Sequence, residues 1–196
     1  MSTMSQKIEI EFKNLLTNEE YQQLVKHFHS YQLTEMEQKN HYFETTDFQL
    51  KKHHAALRIR EKQRTFQLTL KQPNPKGPGL LETHCPITPD EAQQWINGHI
   101  IGKDEVSKAL QAIHINIQDL KYGGMLKTNR LECTYDYTTV VLDQSHYNGY
   151  TDYELELEAE DEQHGKTVFQ QLLTAHQIPK RKTPNKIERF YHTLKI

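Results

Sequence analysis

The sequence predicts an α+β domain built mainly from antiparallel strands, with helices set between or outside them. Three observations lead there. Apolar and polar residues alternate with period two in segment after segment. The dipeptide Asn148-Gly149, a strong hairpin-turn signal, joins two such segments. Helix-start signals stand at Thr17 and Thr88, each ahead of an apolar residue pattern of longer period.

The elements follow in order. Residues 7–13 read KIEIEFK, with Ile8, Ile10 and Phe12 opposing Glu9, Glu11 and Lys13. Thr17 caps a helix, with Glu20 completing a capping box and Tyr21, Leu24, Val25 and Phe28 forming its apolar stripe. Strand alternation returns at 57–60 (LRIR) and 66–71 (FQLTLK), joined by a polar turn, EKQR. Residues 72–79, QPNPKGPG, form a loop rich in Pro and Gly. A helix starts at Thr88-Pro89 and runs through Trp95, and a second covers about 105–113. Residues 130–136 and 140–143 are further strands, the latter ending in Asp143. The run YELELE at 153–158 follows the Asn-Gly turn. A last helix covers about 163–176, with Val168, Leu172 and Leu173 on one face. There is no linker and no internal repeat, so a single domain over 1–196 is expected.

Composition sets bounds. The chain has 196 residues, with 24 Lys+Arg against 26 Asp+Glu and a formal net charge of −2. That balance argues against nucleic-acid binding through bulk positive charge. No apolar run reaches the ~18 residues of a membrane span, and the start, MSTMSQKIEIEF, lacks the apolar stretch of a secretory signal. Cys85 and Cys133 stand far apart without a CxxC pair, which suggests a reducing, cytoplasmic setting and no zinc knuckle. Apolar residues make up only 35%, below the usual ~45–50%. Charges of both signs at 26%, with ten Tyr and seven Phe, still argue for a folded chain.

What stands opposite the apolar residues is informative. Glu9 and Glu11 lie at i and i+2, so both carboxylates leave one face, roughly 6.5–7 Å apart, and Lys13 continues the row. Arg58 and Arg60 repeat the arrangement with positive charge, and Glu154, Glu156 and Glu158 with negative charge. Like charges on one face repel when nothing lies between them. Either these are solvated strand faces, or the strands curl into a barrel with the charges inside. In the second case carboxylate rows would hold hard divalent cations through oxygen, and Arg and Lys rows would clamp phosphate oxygens. No P-loop is present, since Lys76-Gly77-Pro78-Gly79 lacks the required spacing, and no Ser-His-Asp arrangement is evident. The twelve histidines are scattered and read as surface or incidental residues.

Taken together, these residues resemble the CYTH superfamily, the triphosphate tunnel metalloenzymes. The hallmark ExExK is present as Glu9-Ile10-Glu11-Phe12-Lys13. Asn40-His41-Tyr42-Phe43-Glu44-Thr45 is similar to the family's N-x-Y-F-D-T segment, with Glu44 where Asp is usual, a segment read as a structural turn. Ala56-Leu57-Arg58-Ile59-Arg60 matches the A-L-R-I-R strand, and Leu68-Thr69-Leu70-Lys71 the strand ending in lysine. Glu82, Arg130, Leu142-Asp143, Tyr153-Glu154-Leu155-Glu156 and Lys186 follow in the family's order, so the resemblance covers about residues 7–192. It is closest to the short stand-alone Firmicute-type members.

The resemblance implies a closed eight-stranded antiparallel β-barrel, a tunnel with a polar lumen and helices packed outside. It implies binding of a triphosphate, organic or inorganic, or of polyphosphate, and metal-dependent hydrolysis with Mg²⁺ or Mn²⁺. One branch instead cyclises ATP to cyclic AMP, and a non-catalytic nucleotide or polyphosphate binder is a third possibility. Glu9, Glu11 and Lys13 would be catalytic, and Glu9, Glu11, Glu154 and Glu156 metal ligands. Glu158 is a further candidate, as is Asp143, which could instead cap the hairpin. Lys13, Arg58, Arg60, Lys71, Arg130 and Lys186 would hold phosphates, with Glu82 in support. No nucleic-acid or membrane partner is expected, and the oligomeric state is unreadable.

Overall fold

The period-two segments become strands in a computed structural model, which describes residues 5–75 and 77–193, with side chains from Ile10 onward. The order is β1 (Ser5–Leu16), α1 (Asn18–Phe28), β2 (Thr34–Thr45), α2 (Gln49–Lys52), β3 (Ala56–Lys62), β4 (Thr65–Pro73), β5 (Leu80–Ile87), α3 (Pro89–Ile96) and α4 (Asp104–Gln111). Then come β6 (Leu120–Tyr135), β7 (Thr138–Tyr147), β8 (Tyr150–Ala159), α5 (Glu162–Ala175) and α6 (Lys186–His192). The expected α+β class holds, with eight antiparallel strands. Thr17 and Thr88 do cap α1 and α3, each closing a capping box with the glutamate three residues on. Three segments exceed the expectation: β2 and β5 are full strands, and β6 begins ten residues before Arg130.

The chain divides into two compact units. The first contains Gln38–Leu126 and the start of β1; the second contains Glu9–Glu37 and the chain from Lys127 onward. In the first unit the strands pair in the order β2-β3-β4-β5. Leu57, Ile59, Leu68, Leu70, Cys85 and Phe43 turn to one face and pack with Leu50, Trp95, Val106 and Leu110 of the helices. Arg58, Arg60, Thr69, Lys71, Glu82 and His84 take the opposite face, as period two requires.

The second unit repeats the plan with β1-β8-β7-β6. Val140, Leu142, Leu155 and Leu157 pack beneath Leu24 and Phe28 of α1 and Val168, Phe169 and Leu172 of α5. Each unit therefore has its own apolar core on the helix side of its sheet. The other side is free to carry charge.

Glu44 is not part of a turn; it sits in the last stretch of β2 and builds the turn that follows. Its buried carboxylate accepts the backbone N–H groups of Thr45 (2.8 Å), Leu50 (2.9 Å) and Lys51 (3.0 Å). That spends its lone pairs on structure, in keeping with a structural role for the segment. The Asn148-Gly149 hairpin forms as expected, with positive φ at both residues (49° and 80°).

α5 docks through a glycine. A Cβ on Gly165 would meet Ala159 Cβ at 2.5 Å and the Phe12 ring at 2.8 Å. An alanine in mid-helix normally stabilises by about 1 kcal/mol. Here overpacking reverses the sign, so Gly165→Ala is expected to destabilise by about 1–3 kcal/mol. Urea unfolding checks this, and a stabilised variant would refute the packing argument.

Candidate active site

The polar face of the first unit is a grid set by register. Arg58 lies opposite Tyr42 on one side and Thr69 on the other, and Thr69 lies opposite His84. Lys71 lies opposite Glu82, and its Nζ is 3.3 Å from Glu82 Oε1. Arg60 Nε donates to Asn40 Oδ1 at 3.4 Å. Glu82 is buried at 6% exposure. Burial acts to raise its pKa, but the His84 hydrogen bond and the charges of Arg58 and Lys71 hold it well below the usual carboxylate range. The structure thus brings Arg58, Lys71 and Glu82 together, with Arg60 on the same face.

In the second unit a denser cluster forms. β7 and β8 place Asp143 opposite Glu154, and β6 places Arg130 opposite Asp143. Arg130 grips Asp143 with two hydrogen bonds, Nε to Oδ1 (2.8 Å) and Nη2 to Oδ2 (2.7 Å), and donates to Glu156 Oε2 (2.9 Å). Lys186, the first residue of α6, puts its ammonium against Asp143 Oδ2 (2.9 Å), Glu154 Oε1 (3.1 Å) and Glu156 Oε1. Arg189, one turn later, pairs with Asp152 (2.8 Å) and Glu154. Asp143 is fully buried and Glu154 is 1% exposed.

α6 is held in place by β1. Asn14 accepts from Arg181 N–H (2.7 Å) and donates to Pro179 O (3.1 Å), while Thr183 Oγ1 accepts from Leu15 N–H (2.9 Å). Arg181 clamps Glu20 of α1 with two hydrogen bonds (2.7 and 2.8 Å). The segment before α6 is thereby tied to β1, and Lys186 and Arg189 face the carboxylates. Lys13 reaches Glu11 (3.4 Å) and Asn185, the residue capping α6.

Asp143 therefore does not cap the hairpin; it lies mid-strand, paired with Arg130 and Lys186. Of the glutamate row, Glu154 and Glu156 are buried and lie in the cluster. Glu158 is half-buried, opposite Glu11 in the β1–β8 register. The Glu9 side chain lies outside the described residues. Two histidines are not surface residues: His41 sits between Tyr122 and Glu61, and His84 between Thr69 and Glu82. Sequence reasoning also missed Arg189 and Asp152. The signal was available for Arg189, which stands three residues after Lys186 on one helix face.

Glu154 carries a pH signature. Burial, the largest influence, and the neighbouring Glu156 push its carboxyl up to about 7, against the pull of Lys186 and Arg189. Burial also acts upward on Glu156, but Lys186 and Arg130 hold it well below the usual range. In the unfolded chain Glu154 titrates near ~4.3. Between that value and neutrality the folded state binds a proton that the unfolded state has lost, so stability falls as pH rises. This contribution is complete below the unfolded value and gone once pH has climbed through the folded one. The stability gap between wild type and Glu154→Gln is expected to shift by about 2–3 kcal/mol against the wild type from pH 5 to pH 8. Urea unfolding at both pH values measures it, and a constant gap would refute the assignment.

The chain belongs to the CYTH domain family, whose model matches residues 7–191. Among its relatives is YjbK of Bacillus subtilis (strain 168), named as a candidate triphosphatase, 44% identical over 191 residues and 96% of each chain. A crystal structure of a Bacillus halodurans protein titled as a candidate adenylate cyclase is 42% identical, with a TM-score of 0.88 over 95% of this chain and 98% of that one. A Hippeastrum protein, titled as a candidate adenylyl cyclase with a dominant triphosphatase activity, shares the fold at 22% identity. Its TM-score is 0.80 over 96% of this chain and 98% of that one. Among the described residues, no helix is long and apolar enough to cross a membrane.

Proposed function

We propose that this protein is a divalent-metal-dependent triphosphatase, working as one domain in which the eight strands close into a tunnel. The observation that carries it is a division of labour on the polar faces. One unit presents Arg58, Arg60 and Lys71, and the other gathers Asp143, Glu154 and Glu156 around a single ammonium. The name of the 44%-identical Bacillus subtilis relative and the activity stated for the Hippeastrum protein support the same reading.

The donor set fits a hard cation. Asp143, Glu154 and Glu156 offer only oxygen, the ligand type of Mg²⁺ and Mn²⁺, and already converge on a positive charge, Lys186 Nζ. Among the described residues no group of three His, Cys, Asp or Glu is arranged to hold a metal as it stands; Lys186 fills the point on which these three carboxylates converge. Glu9, Glu11, Glu154 and Glu156 would hold the metal, with Glu158 and Asp143 beside them. When bound, the metal supplies neutralising charge to the phosphoryl oxygens and a more acidic water.

The chain's own residues do the rest. Phosphoryl transfer is mostly positioning and electrostatic stabilisation. Arg58 can hold phosphate oxygens in a two-pronged grip. Lys71, Arg60 and Lys13 add charge on the oxygens of a bound triphosphate. Lys186 would move from the carboxylates to a phosphate as the substrate arrives. Arg130, whose fork is taken by Asp143 and Glu156, would orient the acids as much as bind phosphate.

Phosphate release from tripolyphosphate, thiamine triphosphate and ATP with Mg²⁺ or Mn²⁺ tests the proposal. Release from at least one is expected, and none from all three would sink it. Because the Bacillus halodurans relative is named as a candidate adenylate cyclase, the ATP reactions are also separated for cyclic AMP. Cyclic AMP as the main product would replace hydrolysis with cyclisation.

A further inference from the structure

β5 brings Glu82 and His84 to the polar face of its sheet, and the histidine is neither a phosphate-holding nor a metal-holding residue of the proposed site. Register puts His84 opposite Thr69 and Glu82 opposite Lys71, with Arg58 on the far side of Thr69. Thr69 Oγ1 lies 3.1 Å from His84 Nδ1, and His84 Nε2 lies 3.2 Å from Glu82 Oε2. The other Glu82 oxygen, Oε1, faces Lys71 Nζ at 3.3 Å. Thr69 is 2% exposed.

The proton positions follow. An ionised carboxylate only accepts, so His84 Nε2 carries the hydrogen. In the neutral ring Nδ1 is then a lone pair and accepts from the Thr69 hydroxyl. One ring thus spans a buried hydroxyl and one oxygen, Oε2, of a buried carboxylate.

The consequence lies with the cations. A buried carboxylate oxygen that loses its donor takes the nearest replacement, because leaving it unsatisfied is costly. Lys71 already stands 3.3 Å from the other oxygen, and the charge of Arg58 acts on Glu82. A guanidinium and a carboxylate readily lock in a two-pronged pair. Glu82 would then hold Arg58 as well as Lys71, and both charges would be withdrawn from a triphosphate.

We propose that His84 is a positioning residue for phosphate binding: by occupying Oε2 of Glu82, it keeps that carboxylate, already beside Lys71, from closing on Arg58 as well. The proposal rests on the triphosphatase reading for its substrate, and it concerns binding rather than chemistry. His84→Leu, apolar and without a donor, is expected to raise KM for tripolyphosphate about tenfold with kcat changed less than about threefold. His84→Gln, which returns an N–H donor, is expected to recover most of that affinity. Calorimetry with tripolyphosphate and no divalent metal should show the same order of affinity. Should His84→Leu not fold, His84→Asn, too short to reach Glu82, takes its place with the same expectation. A ¹⁵N spectrum of the imidazoles, assigned by the loss of one ring in His84→Gln, should show the Nε2–H tautomer.

The failures separate. A wild type that binds tripolyphosphate but hydrolyses no triphosphate overturns the enzymatic reading alone. An unchanged affinity in His84→Leu, a His84→Gln no better than it, or the Nδ1–H tautomer overturns the role of His84 alone. A wild type that does not bind tripolyphosphate overturns both.

Discussion

Arg130→Met is expected to lower the melting temperature by on the order of 10 °C and to cost the enzyme at least about a hundredfold in kcat/KM. Asp143 is a fully buried carboxylate whose two oxygens are both held by the Arg130 fork. The same guanidinium reaches Glu156. Burial acts to lower the Arg130 pKa, but Asp143 and Glu156 drive it well above its ordinary value. Removing one partner from a buried ion cluster costs about 3–5 kcal/mol, because the remaining charges keep their desolvation penalty. For a chain of this length each kilocalorie is worth about 2–4 °C.

Activity suffers for a different reason. Asp143 and Glu156 would be left with Lys186 as their shared cation, and their carboxylates would swing toward it. Geometry errors of about 1 Å at a reacting centre can cost a hundredfold. Arg130→Lys keeps the charge but loses the fork, so it should recover only part of either quantity. Thermal melts and tripolyphosphate kinetics on the three proteins decide the matter. A variant Arg130→Met that melts with the wild type would show that the cluster adds nothing to stability.

The rows of like charge were legible because a strand has period two. Glu9, Glu11 and Lys13, or Arg58 and Arg60, need no tertiary information to share a face. β2 was not legible, for the same reason inverted. Its two faces carry Gln38, Asn40 and Tyr42 against Lys39, His41 and Phe43, so polarity scarcely alternates although the strand is largely buried. One hairpin was equally silent, and another, the EKQR turn, was read from its polarity alone. Gln63-Arg64 and Asp136-Tyr137 turn with positive φ at both residues, between 44° and 63°, without a glycine to announce them. Only Asn148-Gly149 carried its turn chemistry in plain residue types.

The site divides along the same line. Which residues are acidic or basic, and on which face, could be read along each strand. How they neutralise one another could not, because the partners come from distant segments. Lys186 stands thirty residues beyond Glu156 and enters the cluster only because Asn14 and Thr183 tie the preceding loop to β1. His84 gave no sign because its role depends on Thr69 in the neighbouring strand, a pairing fixed by register.

The convergence on Lys186 leads to the second large effect. Its ammonium is 12% exposed and touches Asp143, Glu154 and Glu156. Burial acts against the charge, but the three carboxylates hold the amine protonated far above its ordinary range. The carboxylates proposed for a divalent cation thus already hold a cation, one covalently attached and present at high effective concentration. A metal arriving alone must displace it. A triphosphate offers Lys186 another anion, so metal and triphosphate should bind with positive coupling, each helping the other by the same factor. Lys186→Met removes the competitor. The variant is expected to bind Mn²⁺ in the absence of triphosphate at least about tenfold more tightly than the wild type. It should gain more thermal stability from Mn²⁺, because a ligand stabilises in proportion to how far its concentration exceeds Kd. The same variant should lose at least about a hundredfold in tripolyphosphate turnover, since a phosphate-holding charge is gone. Free Mn²⁺ measured by electron paramagnetic resonance, with and without tripolyphosphate and against protein-free solutions that account for chelation by tripolyphosphate itself, gives the coupling. If the wild type binds Mn²⁺ equally well in both conditions, or Lys186→Met binds it no more tightly, then the ammonium and the metal do not compete for these oxygens. The metal would in that case have to be held by the Glu9 and Glu11 end of the row.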